Sequence, residues 1–200
     1  MPTNFSTLSL IEISREIDAI SRDAEATFGG LTAVQLNWKS TPSRWSIAQC
    51  FDHLIRINGQ MLDGIVRTLD SATPKTLVQR VPGLPRVFGR IMIRSLSPTA
   101  TRKLPAPASA RPSTSNLGGD IILRFVEAQV ALRQRLRSFE HRALAETIMV
   151  SPFTSVIAYP VLDACRIIVA HERRHFEQAR RITQTPGFPG ERGTGNGEPK

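Results

Sequence analysis

The chain has 200 residues, 40% of them hydrophobic, with 26 Lys and Arg against 17 Asp and Glu and a formal net charge of +9; its sequence pI is about 10.9. That length suits one domain with a core of ordinary size. The basic excess suits contact with anions, but there is no block of five like charges and few aromatic rings to stack on bases, so a nucleic-acid partner is not expected.

The N-terminal run from Met1 to Phe5 lacks the basic flank and long apolar stretch of a secretory signal. The longest apolar candidate for a membrane span is interrupted by Asp163 and Arg166, so no membrane partner is expected. Cys50 and Cys165 fall within apolar helical patterns and read as buried small hydrophobes in a reducing compartment. A soluble cytoplasmic protein is the expectation.

In chain order, residues 6–28 carry Leu8, Ile11, Ile17, Ile20, Ala24 and Phe28 at helical spacing and end at Gly29-Gly30. A connector with Pro42 follows. Ser46-Ile47-Ala48-Gln49 has the form of a capping box, in which serine and glutamine satisfy each other's exposed backbone donors, and a second helix should start there. Its inward stripe is Ile47, Cys50, Phe51, Leu54, Ile57, Met61, Leu62, Ile65 and Leu69, with His53 at the stripe's edge and Asp52 and Arg56 facing out.

Prolines from Pro74 to Pro112 interrupt the next fifty residues. A short basic helix fits 84–96, with Val87, Ile91 and Met92 inward, and Ser97–Gly119 reads as a long loop over the bundle that helps shape a pocket. A third helix resumes after Gly118-Gly119, with Ile122, Phe125, Val126, Gln129, Leu132, Leu136 and Phe139 at helical spacing. Ile148-Met149-Val150 is too short to establish a strand.

The last helix starts near Tyr159-Pro160 and stops near Thr185-Pro186-Gly187. Its stripe of Val161, Ala164, Cys165, Ile168 and Val169 continues onto His171, Glu172 and His175, then Ala179 and Ile182. Four such helices joined by connectors predict an all-α four-helix bundle over residues 1–185, followed by a Gly- and Pro-rich disordered tail, 186–200. The long connection between helices two and three allows that pair to run parallel, which would bring His53 beside the last helix.

Of the four histidines, His53, His171 and His175 therefore lie on inward or nearly inward faces, while His141 sits at a helix end. Imidazoles at i and i+4 on one face reach a single zinc or nickel ion, and a third from a neighbouring helix completes a facial set with room for water. The competing reading makes all three core or rim residues hydrogen-bonded to carbonyls and carboxylates. His171-Glu172-Arg173-Arg174-His175 also matches H-E-x-x-H, the zinc-protease signature with Glu172 as general base. Against it, no histidine follows to supply a third ligand, and no convincing sheet is present.

The run from Leu36 through Pro42, Trp45 to Cys50 and Asp52-His53-Leu54, with His171 to Arg181 far downstream, resembles the DinB-like (damage-inducible) superfamily. The resemblance implies a four-helix bundle with a crossover connection between helices two and three. It also implies a divalent metal, zinc or nickel, on three histidines that match His53, His171 and His175, and a homodimer. Some members of that superfamily are metal-dependent transferases or isomerases that use low-molecular-weight thiols. The expected function is a metal-dependent enzyme of thiol-transferase or hydrolase type acting on a small molecule, with no catalytic residue assigned. The alternative is an inactive bundle serving interaction or dimerisation.

Overall fold

A computed structural model describes residues 3–71, 76–101, 109, 111–112 and 116–190. The helices are α1 (Leu10–Phe28), α2 (Ala33–Asn37), α3 (Ile47–Asp70), α4 (Leu77–Arg80), α5 (Leu84–Leu96), α6 (Ile121–Arg137) and α7 (Val161–Thr183). Between α6 and α7 lie two short strands, β1 (Ile148–Val150) and β2 (Ala158–Pro160), paired antiparallel with Met149 opposite Tyr159.

The long helices start where side chains or nearby carbonyls satisfy their free backbone donors. Reciprocal Ser9/Glu12 and Ser46/Gln49 capping boxes open α1 and α3; each is worth about 1 kcal/mol. α7 has no side-chain cap. Its first two N–H groups instead donate to Thr147 O at 2.9 Å and Leu144 O at 3.0 Å, so the chain entering β1 sets the start of α7.

α1 packs on α6 and α7, and α3 also packs on α6 and α7. Phe28, Phe51, Phe125 and Phe176 tie the helices together in edge contacts, with centroids 4.9 Å apart for Phe51–Phe125 and 5.4 Å for Phe28 to Phe51 and to Phe176. Such pairs add roughly 0.5–1.5 kcal/mol each beyond burial. Helix directions follow from the contacts. Phe51 meets Phe125, and further along both helices Asn58 and Gln129 reach the same Glu172, so α3 and α6 run parallel. His53 faces the histidines of α7 while Met61 meets Tyr159, so α3 and α7 run antiparallel. The parallel pair needs the long crossover, and the all-α bundle expected from the sequence is the observed fold.

Several details depart from the sequence reading. In α1, Ile11 is 59% exposed and Ile13 takes the buried place, because Ile13 stands one turn before Ile17 on the buried stripe whereas Ile11 lies well round the helix from it. Val87 and Ile91 of α5 point outward, 49% and 52% exposed, while Pro85, Gly89 and Ile93 are buried. Glycine decides that orientation: a Cβ at Gly89 would stand 2.2 Å from Asp163 Oδ2, so α5 approaches α7 along a face with no side chain there. At its other end Arg174 donates to the carbonyls of Ser95, Ser97 and Ala100 at 2.9, 3.4 and 3.5 Å, satisfying groups that a helix C-terminus leaves free.

Asp52 is buried, not outward, and accepts from Arg56 Nε at 3.0 Å. Phe188 packs edge-on against Trp38, centroids 5.5 Å apart, and Pro189 O accepts from Gln35 at 2.9 Å. The expected tail is thus fixed to α2 at its start, and residues 191–200 lie outside the described residues. Much of the expected Ser97–Gly119 loop, at 102–108, 110 and 113–115, lies outside them too. Cys50 and Cys165 are both buried and free. Among the described residues no helix is long and apolar enough to cross a membrane.

Candidate metal centre

Apolar periodicity turns three histidines into the bundle. His53 lies on α3 one turn past its capping box, and His171 and His175 are successive turns of α7. All three are buried, at 2%, 7% and 8% exposure. One ring nitrogen from each lies within 4.8 Å of the others, and the two Nε2 atoms of α7 are 3.0 Å apart. Ring centroids stand 4.5 Å apart for His171–His175, 4.8 Å for His53–His175 and 5.2 Å for His53–His171. The three residues singled out from sequence are therefore brought together, and His141 stays exposed at the surface.

Two nitrogens bound at about 2.0–2.1 Å to one tetrahedral ion stand roughly 3.3 Å apart. The α7 pair is already near that spacing, and the remaining adjustment, on the order of 1 Å, falls on the ring of His53. Burial, followed by the nearby charge of His175 and His53, holds His171 well below its ordinary pKa. Burial and then His53 push His175 down to about 3. Both rings are therefore neutral near pH 7, the form with a lone pair to give to a cation. A nitrogen-only, converging donor set in which two rings are held neutral suits zinc or nickel.

Trp45, in the turn before α3, stacks on His175 with centroids 5.6 Å apart and planes at 18°, and lies 5.0 Å from the His53 ring. It also forms part of the wall of a cavity of about 1120 Å³, lined by all three histidines and by residues of α3, α5, α7, the turn at 40–45 and the β1–β2 connection.

Behind the histidines, Glu172 is completely buried. Its Oε1 accepts from Asn58 Nδ2 at 2.5 Å and Gln129 Nε2 at 2.6 Å. Burial raises its pKa to about 8, against the opposing effect of those two bonds and Arg173, so the group is mostly protonated at neutral pH. Oε2 of Glu172 and Oε1 of Gln129 are both buried without a partner. A carboxylic acid held by two amides in the core is poorly suited to take a proton from a water in the cavity, which removes the role the zinc-protease signature would assign it. Sequence reading placed Glu172 and Gln129 on inward stripes without connecting them. Trp45 and Asn58 were missed as site residues, and an inward Asn on α3 was the available signal.

A family model described as the DinB superfamily matches residues 16–179. The match covers most of the chain and includes all three histidines, so the chain belongs to the DinB superfamily. Searches of curated proteins and of solved structures found no match.

Proposed function

We propose that this member of the DinB superfamily is a metal-dependent enzyme of thiol-transferase or hydrolase type, with His53, His171 and His175 holding a zinc or nickel ion. One observation carries the reading: three neutral or buried imidazoles converge within 4.8 Å on the wall of a cavity large enough for a small-molecule substrate. A divalent ion supplies Lewis acidity there, lowering the pKa of a water or low-molecular-weight thiol beside it. The chain's own residues do the rest. Trp45 fixes the ring plane of His175, while Asn58 and Gln129 hold Glu172 and with it the register of α3, α6 and α7 behind the site. Use of a thiol co-substrate and assembly as a homodimer, supported by the superfamily resemblance, and a cytoplasmic location, supported by two buried free cysteines, complete the proposal.

Metal analysis of untagged protein tests it. After dialysis against zinc or nickel and removal of free ion, about one ion per chain should remain. His53→Ala and His171→Ala should each drop this to background while far-ultraviolet circular dichroism stays unchanged. Substoichiometric metal in the wild type, or uptake that survives His171→Ala, would favour the inactive interaction module instead.

A further inference from the structure

The cavity beside the histidines is chemically divided along α7. One turn before His171 its wall is Ile167 and Ile168, joined by Ile57 and Met61 of α3, Met92 of α5 and Phe153 of the β1–β2 connection. From Arg174 onward α7 adds basic and polar groups, Arg174, Gln178, Arg181 and Thr185, with Ile182 among them, and they are faced by Ser40, Ser43 and Arg44 of the turn preceding Trp45. That turn is fixed by a bond from Arg44 N to Thr41 O of 3.0 Å. The histidines stand between the two ends. Among the described residues, three arginines and no carboxylate line the cavity. The positive field inside it is therefore uncompensated from its own wall, unlike the outer surface, where Arg133 and Arg180 pair with Asp18 and Glu177.

Spacing along the helix sets the dimensions. Ile168 and Arg181 are thirteen residues apart on α7, about 20 Å of rise. Helical side chains lean back toward the N-terminus, which brings the Arg181 guanidinium toward the histidines. Arg174 is committed to the end of α5, and Arg44 and Arg181 remain as the exposed cationic side chains of that end.

Building on the metal-site reading, we propose that the substrate is an amphipathic anion. An apolar body lies among Ile57, Met61, Met92 and Ile168, a terminal carboxylate or comparable anion is held by Arg44 and Arg181, and the reacting part lies between them, against His53, His171 and His175. Purely apolar molecules lose the arginine contacts. Cations meet a like charge that no carboxylate of the described wall offsets, a repulsive element against them.

Isothermal calorimetry on chelator-treated protein tests this without metal, using decanoate and decylamine as probes of equal chain length below their micelle concentrations. Decanoate should bind and decylamine should bind at least about tenfold more weakly. Arg181→Gln and Arg44→Gln should each weaken decanoate by about three- to tenfold. Arg137→Gln removes the same charge from the exposed end of α6 and should leave the affinity unchanged. Equal binding of the two probes, no loss in the cavity variants, or equal loss in all three arginine variants would overturn the proposal, the last by assigning the effect to net charge. Metal stoichiometry measured on the same preparations fails or succeeds independently of these titrations, so the two readings are separable.

Discussion

Replacing Glu172 by Gln should remove one identifiable slope from the pH dependence of stability. The carboxyl has an ordinary pKa of 4.5 and is raised to about 8 in the fold. The protonated form is thus favoured in the native state, while the unfolded chain ionises from about pH 4.5 upward. Its contribution to stability is complete below pH 4.5 and is lost as pH rises toward 8. Roughly three and a half pH units at 1.36 kcal/mol each set an upper value of about 5 kcal/mol. His171 and His175 act in the opposite sense. Their pKa values are depressed, so the stability they confer is present above about pH 6.5 and lost as pH falls. Both proteins share that histidine term, and it cancels in their difference. Urea denaturation of chelator-treated wild type and Glu172→Gln, followed by circular dichroism at pH 5, 6.5 and 8, isolates the carboxyl. The Gln side chain keeps an oxygen for Asn58 and Gln129 and places an N–H toward the unpartnered Gln129 Oε1. The variant should gain on the wild type by on the order of 3–4 kcal/mol between pH 5 and 8. A difference constant to within about 0.5 kcal/mol across that range would refute a protonated, buried Glu172.

The same burial makes three further outcomes measurable. Cys50 and Cys165 are wholly buried and burial pushes both thiols up to about 12, so a disulfide reagent such as Ellman's should modify neither in the native protein, and both at once in urea. Gly89→Ala sets a methyl 2.2 Å from Asp163 Oδ2 and must lift α5 or break the Asp163–Arg166 pair of 2.8 Å. A cost of about 2–3 kcal/mol, read as a fall in Tm of roughly 5–10 °C, is expected, whereas Gly59→Ala, with open space around its Cβ, should be neutral or slightly stabilising. In a Trp38→Phe background Trp45 is the remaining tryptophan, stacked on His175 at 5.6 Å. Adding zinc should change its emission intensity with a stoichiometry that His175→Ala abolishes; an unchanged spectrum on zinc addition would place the ion elsewhere.

The bundle was legible because four apolar stripes of helical period lie in one chain, and the stripe of α7 runs without a break onto His171 and His175. What escaped is what period does not encode. The facing of α5 turns on Gly89, a residue that carries no apolar weight yet admits Asp163 where any side chain would collide. Its outward Val87 and Ile91 looked like core for the same reason. Asp52 was assigned to solvent as a charge, but a partner one turn along, Arg56, lets it be buried. The link among Asn58, Gln129 and Glu172 joins positions 114 and 43 residues apart, and no local pattern announces it. β2 was hidden because its residues, Ala158 to Pro160, also read as the first turn of the helix that follows.

The protonation of Glu172 and the neutrality of the histidines have one physical origin, and this bears on how the site is kept ready. Both stand where α3 packs on α7, so a rearrangement that parted these helices would wet Glu172 and open the histidine side of the cavity further. Wetting would lower the pKa of the carboxyl and raise those of the imidazoles, creating a carboxylate and competing protons behind and within the donor set. A neutral Glu172 adds no negative charge behind His171 and His175. A cation held there would be balanced from the cavity, where no carboxylate stands among the described residues, and the anionic substrate proposed above would complete the electrostatics of the centre.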